Sequence, residues 1–248
     1  MKNDTFQQVK QIIKESSNIV FFGGAGVSTA SGIPDFRSAT GLYNKESGAD
    51  YSPEYMLSHT FFMDHPEEFY DYLRNNLYYP KAKPNNAHKV LVELEKMGKL
   101  KAIITQNIDG LHQAAGSHDV IEFHGSIMKF YCMKCGKEES AGAVYASQGI
   151  PKCNKCGGTI RPDVVLYEEP INQNIYEKAI EAVMNADVLI VGGTSLVVYP
   201  AAGLLNYYKK DKLVLINKEA TGQDRVADYI LTGDISRILW DLVEEERC

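Results

Sequence analysis

Four cysteines have the spacing of a metal site. Cys132 and Cys135 form one Cys-x-x-Cys pair, and Cys153 and Cys156 form a second pair after 17 intervening residues. Two such pairs can offer four thiolates to a tetrahedral Zn²⁺ ion, and because the coordination shell is then full we expect a structural and not a catalytic zinc. The spacing alone also allows disulfides or a redox dithiol, and the basic residues around the pairs leave a nucleic-acid-binding ribbon as a further alternative.

A glycine loop follows the apolar residues 19–22. Gly24-Ala25-Gly26 is half of the dinucleotide-binding pattern Gly-x-Gly-x-x-Gly, but Thr29 stands where the third glycine would be. Phe36 and Arg37 come soon after, and such a pair could cover a nicotinamide ring and bind a phosphate. The ordinary hydride-dehydrogenase pattern is therefore absent, while a diphosphate cradle at a helix N-terminus and a simple packing turn both stay open.

Polar residues also follow the ends of the other predicted strands. The carboxyl ends of parallel strands meet at one edge of a sheet, so we expect one polar rim there. Among the six histidines, His124 is the best candidate for a general base because it ends a short strand at this rim. The rim candidates are Gln106, Asn107, Ile108, Asp109, His124, Thr194, Ser195, Asn217 and Ile235.

The elements that would position these residues alternate between strands and helices. This alternation predicts an α/β fold with a Rossmann-like, doubly wound parallel sheet. We assign residues 1–38, 81–125 and 163–248 to the sheet domain, with a strand expected at 164–166 and a last helix at 235–246. The aromatic, mostly helical insertion 39–80 and the zinc ribbon 126–162 are expected to form a smaller domain.

Composition excludes some classes of function. The 248 residues carry a net charge of −6, which argues against direct nucleic-acid binding, since that needs a basic surface. Residues 188–208 are uncharged and long enough to span a bilayer, but they contain Pro200 and Asn206 and are better interpreted as a strand, a polar loop and a helix. With no apolar signal core at the start, we expect a cytoplasmic protein without a membrane segment.

Together these segments resemble the sirtuin family of NAD-dependent protein deacylases, in the order in which its members carry them. The matching segments are residues 24–37, 105–112, 124–125, the cysteine pairs, 193–196 and Asn217. The resemblance implies that NAD is consumed as a cosubstrate and that the second substrate is an acetyl-lysine protein or peptide. The acyl group would pass to ADP-ribose, with release of nicotinamide, O-acetyl-ADP-ribose and free lysine.

The same resemblance implies roles for the matching residues. His124 would be the general base, and Asn107 and Asp109 would position the ribose and the carboxamide for catalysis. One structural zinc would occupy the cysteine pairs. NAD would be held by Ala25, Thr29, Phe36, Arg37, Gln106, Asn107, Ile108, Asp109, His124, Thr194, Ser195, Asn217 and Ile235.

Two departures from the family pattern concern the substrate. Many members carry Phe-Gly-Glu where this chain has residues 164–169, although an extended peptide could still pair with this segment by β-augmentation. Members that prefer succinyl or malonyl lysine carry a Tyr and an Arg three residues apart. Here Tyr70 is followed by Leu73, and Arg74 is rotated by about 100° on a helix, which favours acetyl or another uncharged acyl group.

Two alternative functions use the same NAD pocket. One is mono-ADP-ribosyl transfer to a different acceptor, and the other is a non-catalytic NAD-sensing module. The presence of Asn107, Asp109 and His124 argues against the second alternative.

Overall fold

A computed structural model describes residues 2–38, 41–44 and 51–244. Six strands form a parallel sheet in the order β3-β2-β1-β7-β8-β9, and three form an antiparallel sheet in the order β5-β4-β6. The strands are β1 (Ile19–Gly23), β2 (Leu100–Thr105), β3 (Val120–Glu122), β4 (Gly125–Cys132), β5 (Glu138–Ser140), β6 (Ile160–Val164), β7 (Val188–Gly192), β8 (Leu213–Asn217) and β9 (Tyr229–Thr232). The strand order reverses between β1 and β7, which confirms the predicted Rossmann-like sheet.

Helices cover both faces of the parallel sheet. The α-helices of the described residues are α1 (Lys2–Glu15), α2 (Pro53–Met56), α3 (His59–Asp64), α4 (Pro66–Tyr72), α5 (Asn86–Lys96), α6 (Leu111–Ala115), α7 (Ala141–Ala146), α8 (Gln173–Asn185) and α9 (Ile235–Leu242). Of these, α1, α5 and α9 pack on one face of the parallel sheet and α8 packs on the other. Successive strand residues point to opposite faces. Phe21 therefore packs in the core under α1, α5 and α9, whereas Phe22 packs in the core under α8. Burial on both faces explains why these strands are apolar at nearly every position.

A third hydrophobic core lies outside the parallel sheet. It joins buried residues of the helical insertion, such as Phe61 and Phe69, to buried residues of the cysteine ribbon, such as Phe130 and Cys132. The rings of Tyr78 and Tyr145 stack between the two segments with their centroids 3.6 Å apart. This shared core supports a small domain built from both insertions, and the exact domain boundaries stay a prediction.

Three expectations about individual elements are wrong. The strand expected at 164–166 is β6, which ends at Val164 and pairs with β4 in the small antiparallel sheet. The glycine loop leads into two 3₁₀ turns, Ala25–Val27 and Thr29–Ser31, and not into an α-helix whose N-terminus could face a phosphate. The last helix, α9, ends at Leu242.

The uncharged stretch 188–208 folds as expected, into β7, a loop and the 3₁₀ helix Ala201–Tyr207. Within the ranges described above, no helix has the length and apolar character needed to cross a membrane. Cys248 and residues 39–40, at the expected start of the helical insertion, lie outside the described residues.

Candidate active site

The polar residues predicted to form a rim do come together at one edge of the sheet. They surround a cavity of about 460 Å³ that lies between the carboxyl ends of the parallel strands and the small domain. The rim is positioned by the sheet itself, because parallel strands in register deliver their following loops to the same edge. Of the predicted residues, the cavity is lined by Ala25, Thr29, Phe36, Arg37, Gln106, Asn107, Ile108, His124, Thr194, Ser195, Asn217 and Ile235.

Two glycines allow the loops after β1 and β7 to touch. The N–H of Gly26 donates to the carbonyl of Gly193 at 2.8 Å, and a Cβ on Gly26 would lie 2.7 Å from the Cα of Gly193. Gly193 has a φ of +61°, a conformation that L side chains rarely adopt. The packing role of the glycine loop is therefore real, and the same packing brings Ala25 and Thr194 to the cavity wall.

Side-chain hydrogen bonds connect the ends of three strands of the parallel sheet. Gln106 Nε2 donates to Thr194 Oγ1 at 2.9 Å, which links the loop after β2 to the loop after β7. Asn217 at the end of β8 accepts from the Thr194 N–H at 3.1 Å and donates to the Thr194 carbonyl at 3.0 Å. These bonds hold the three side chains in fixed positions along the cavity wall, as recognition of a rigid polar ligand requires.

Asp109 lies behind the cavity wall and is not one of its lining residues. Its carboxylate accepts from Ser28 Oγ at 2.6 Å and from the Leu111 N–H at 2.8 Å. Ser28 Oγ in turn accepts from Asn107 Nδ2 at 3.1 Å. Burial raises the pKa of Asp109, and the hydrogen bonds from Ser28 and Leu111 oppose this shift. The arrangement connects Asp109 to the cavity through Ser28 and Asn107.

His124 is the only one of the six histidines, all within the described residues, that lines the cavity. Its Nδ1 lies 3.2 Å from the carbonyl oxygen of Gln106, so Nδ1 carries the proton and Nε2 is the basic nitrogen. Burial lowers the pKa of His124, and the hydrogen bond to Gln106 partly opposes this effect. The imidazole is therefore neutral near pH 7 and can accept a proton. The His88 side chain instead accepts a hydrogen bond from the backbone N–H of Asn85 at the start of α5. The ring of His112 packs against the ring of His88, with their centroids 4.8 Å apart.

The loop that carries Phe36 and Arg37 meets residues that the sequence did not single out. The ring of Phe36 packs edge-on against Tyr43 with the centroids 5.3 Å apart, and the Arg37 guanidinium lies 5.3 Å from the Tyr43 centroid. The hydroxyls of Tyr43 and Tyr167 are 2.9 Å apart, and Arg37 Nη2 donates to the Tyr167 hydroxyl at 3.4 Å. Both tyrosines line the cavity. No local sequence signal pairs them, since they are 124 positions apart.

Segment 164–169 also lines the cavity and is fixed by a largely buried ion pair. Arg161 donates to both carboxylate oxygens of Glu169, at 2.7 and 3.0 Å, and to the Val164 carbonyl at 2.9 Å. The same carboxylate accepts from the Leu166 N–H at 3.0 Å and lies 2.8 Å from His59 Nδ1. Although burial opposes ionisation, the hydrogen bonds from Arg161 and its other partners lower the pKa of Glu169 to about 2.

Glu168 occupies a left-handed backbone conformation in this segment, with a φ of 77°. Its carboxylate accepts from the Thr60 N–H at 2.9 Å and from Thr60 Oγ1 at 2.7 Å. These bonds tie the segment to α3 at a position whose conformation glycine would adopt without strain.

The Tyr70 region does not contribute to the cavity. Tyr70 is fully buried in the small-domain core and donates its hydroxyl proton to the Ile160 carbonyl. Arg74 donates to the Gly149 carbonyl at 2.6 Å, and Leu73 is buried. Neither Tyr70 nor Arg74 is placed to bind a charged acyl group in the cavity.

The four paired cysteines converge as predicted. Their sulfur atoms all lie within 4.8 Å of one another, with Cys132 and Cys156 at 3.4 Å and Cys135 and Cys153 at 3.8 Å. A tetrahedral ion with Zn–S bonds of about 2.3 Å needs sulfur atoms about 3.8 Å apart, so the set fits zinc. None of the four forms a disulfide in this structure. None of them lines the cavity.

The chain is a Rossmann-like α/β protein with a polar, histidine-containing cavity between its parallel sheet and a small domain that carries a four-cysteine site suited to zinc. Residues 24–200 match the model of the Sir2 family. The chain is 58% identical over 243 residues to an NAD-dependent protein deacetylase of Clostridium tetani, with 98% of each chain covered. It is 55% identical over 243 residues to an NAD-dependent protein deacetylase of Clostridium perfringens, covering 98% of this chain and 100% of that one.

Solved structures agree with these relatives. One, described under the mechanism and regulation of Sir2 enzymes, has a TM-score of 0.87 at 39% identity, with 98% of each chain covered. A complex of Sir2 with a p53 peptide and NAD⁺ has a TM-score of 0.83 at 37% identity, covering 97% of this chain and 98% of that one. The chain therefore belongs to the Sir2 family.

Proposed function

We propose that this protein is an NAD-dependent protein-lysine deacetylase that transfers the acetyl group to ADP-ribose. The observation that carries the proposal is the cavity itself, which brings a neutral, oriented His124 together with the polar strand ends and with the peptide-pairing segment 164–169. Two relatives at 55% and 58% identity are NAD-dependent protein deacetylases.

The NAD cosubstrate would lie along the strand ends. Hydroxyl and amide groups of Thr194, Ser195 and Asn217, beside Ile235, suit the adenosine half. The guanidinium of Arg37 suits the diphosphate, next to the Ala25 and Thr29 turns, and the Phe36 ring would shield the nicotinamide side. Gln106 and Ile108 would complete the ribose and nicotinamide pocket.

The chemistry falls to Asn107 and His124 on the cavity wall and to Asp109 behind it. Asn107, held by Ser28, would orient the nicotinamide ribose so that the acyl-lysine oxygen reaches C1′ as nicotinamide leaves. Asp109, which lies behind Ser28 and Asn107, would help to position the carboxamide of the nicotinamide. His124 Nε2 would then accept a proton from a ribose hydroxyl, since Nδ1 is engaged with Gln106. The hydroxyl oxygen attacks the carbon of the O-alkylimidate, and addition of water releases the lysine amine and leaves the acetyl group on ADP-ribose.

Zinc would have a purely structural role. Cys132, Cys135, Cys153 and Cys156 would hold the ion with all four thiolates, which leaves no position for substrate or water. Cys132 and Cys153 are buried in the small-domain core, so the metal would stabilise the domain that closes the cavity.

The second substrate would be an acetyl-lysine protein or peptide. Segment 164–169 provides backbone next to the cavity for pairing with an extended chain. Because Tyr70 and Arg74 are engaged in the small domain, an uncharged acyl group is favoured over succinyl or malonyl. The net charge of −6 argues against direct nucleic-acid binding, and four reduced thiols at a zinc site fit the cytoplasm.

The test is incubation of the zinc-loaded protein with NAD and an acetyl-lysine peptide. Deacetylated peptide and O-acetyl-ADP-ribose are expected in equal amounts. His124→Ala should abolish the formation of both products, while its binding of ADP-ribose survives. Labelled protein without deacetylated peptide would favour mono-ADP-ribosyl transfer, and absence of nicotinamide release would favour an NAD-sensing module. A panel of acetyl, succinyl and malonyl peptides compared by kcat/KM tests the acyl preference.

A further inference from the structure

Tyr167 lies between the two substrate-binding parts of the cavity. Its backbone is fixed by the helical insertion, since the Tyr167 N–H donates to the Leu57 carbonyl and its carbonyl accepts from the His59 N–H, both at 3.0 Å. It also belongs to segment 164–169, which would pair with the peptide. The side chain points the other way along the cavity, toward the loop that carries Phe36 and Arg37.

The Tyr167 hydroxyl is a shared contact point for that loop. It lies 2.9 Å from the Tyr43 hydroxyl and accepts from Arg37 Nη2 at 3.4 Å. Burial, followed by the hydrogen bond to Tyr167, raises the pKa of Tyr43, so its phenol remains neutral. Tyr43 also carries the Phe36 ring on one side and the Arg37 guanidinium over its face. One hydroxyl pair therefore holds the relative positions of an aromatic and a cationic side chain on the cavity wall.

We propose that Tyr167 is a positioning residue that couples peptide binding to NAD binding. The inference rests on the proposed function, in which segment 164–169 pairs with the peptide and Arg37 contacts the diphosphate. A peptide that pairs with this segment contacts residues next to Tyr167, whose backbone the insertion holds in place, and the Tyr167 hydroxyl restrains Arg37 where the diphosphate lies. Ligands that each favour the same arrangement strengthen each other's binding by the same factor, so the coupling is reciprocal.

Tyr167→Phe is the informative variant because it removes only the hydroxyl and keeps the ring that lines the cavity. We expect the affinity for ADP-ribose to fall, and the KM for NAD to rise, by between about twofold and tenfold. This is the change in affinity that follows from the loss of one neutral hydrogen bond. An acetyl-lysine peptide should tighten ADP-ribose binding to the wild-type protein, and this tightening should shrink toward none in Tyr167→Phe. A merely structural tyrosine would lower stability without changing the coupling.

Tyr208→Phe is the matched control. Tyr208 also has a hydrogen-bonded hydroxyl, which donates to the Asp187 carbonyl at 2.8 Å, but it is buried under the sheet and does not line the cavity. Its removal should leave both the ADP-ribose affinity and the peptide effect at wild-type values.

A double-mutant cycle with Tyr43→Phe tests whether the hydroxyl pair is the acting contact. The double variant should bind ADP-ribose about as well as Tyr167→Phe alone, because either substitution breaks the same pair. Calorimetric titration of ADP-ribose with and without peptide supplies every value. The inference would be overturned if Tyr167→Phe kept both the wild-type affinity for ADP-ribose and the wild-type effect of peptide on that affinity. It would also be overturned if the losses of affinity in Tyr167→Phe and Tyr43→Phe simply multiplied in the double variant. Failure of the proposed function would show differently, as a wild-type protein that does not bind ADP-ribose.

Discussion

The ion pair between Arg161 and Glu169 should be a main stabiliser of the segment that lines the cavity. In Glu169→Gln the side chain keeps its shape, but the largely buried Arg161 guanidinium loses its counter-charge and the Leu166 N–H loses a charged acceptor. The pKa of Glu169 falls from an ordinary 4.5 to about 2 in the folded protein. At about 1.4 kcal/mol per pKa unit this corresponds to about 3.5 kcal/mol, and partial solvent screening reduces it to about 2 kcal/mol.

The assay is equilibrium denaturation of the wild-type protein and of Glu169→Gln across pH. At pH 7 the variant should unfold with a free energy lower by about 2 kcal/mol, or at a temperature lower by about 4–8 °C for a chain of this size. Because the folded pKa is depressed, the stabilisation is complete above the ordinary pKa of 4.5 and is lost as pH falls toward 2. The difference between the two proteins should therefore narrow in acid.

Glu177→Gln is the control, since its exposed carboxylate accepts a surface hydrogen bond from Gln173 within α8. It should leave the free energy of unfolding nearly unchanged at every pH. The KM for the acetyl-lysine peptide should rise in Glu169→Gln, because Arg161 and Glu169 hold Val164 and Leu166 in place. Wild-type stability of Glu169→Gln at pH 7 would refute the reasoning.

Four further predictions concern the residues proposed for catalysis and the small domain with its zinc site. Since burial lowers the pKa of His124 below its ordinary 6.5, kcat/KM should rise with pH through an inflection below that value and then stay level; an inflection above neutrality would contradict the assignment. Ser28→Ala leaves the buried Asp109 carboxylate and Asn107 without a shared partner and should lower kcat/KM by about 10- to 100-fold, whereas a folded variant with full activity would show that this link is dispensable. Gly125→Ala, with a Cβ placed 2.0 Å from the Asp163 oxygen at a φ of +76°, should lower the unfolding free energy by more than about 2 kcal/mol, measured by thermal melting against the wild type. Chelation of zinc should lower the melting temperature and the activity together, and full activity in protein shown to be metal-free would disprove the structural role.

Much of the site could be predicted because its residues carry local signals. The two Cys-x-x-Cys pairs place each pair of sulfur atoms within one turn, so only the meeting of the pairs depends on the fold. His124, Gln106 and Thr194 follow apolar strands, and a parallel sheet brings such positions to one edge whatever the details of packing. The six-stranded sheet itself follows from the alternation of apolar strands with amphipathic helices.

Other features depend on which segments meet, and short-range patterns do not contain that information. The strand expected at 164–166 is displaced because the segment pairs with β4 of the small domain, and this pairing determines where the strand ends. Asp109 adjoins Asn107 in the motif, yet packing places it behind the cavity wall on Ser28. The helix expected after the glycine loop is replaced by 3₁₀ turns where Gly26 packs on Gly193.

Short-range patterns are enough to predict the Rossmann-like sheet, the four candidate zinc ligands and the polar strand ends, because each depends on spacing along a few residues of chain. The contacts of Tyr167 with Tyr43 and Arg37, and the ion pair of Arg161 with Glu169 beside the cavity, arise from tertiary packing. Tyr43 and Tyr167 are 124 positions apart, and their meeting depends on the packing of the small domain against the sheet. Packing geometry of this kind fixes side-chain positions to within an ångström, which a periodic sequence pattern cannot do.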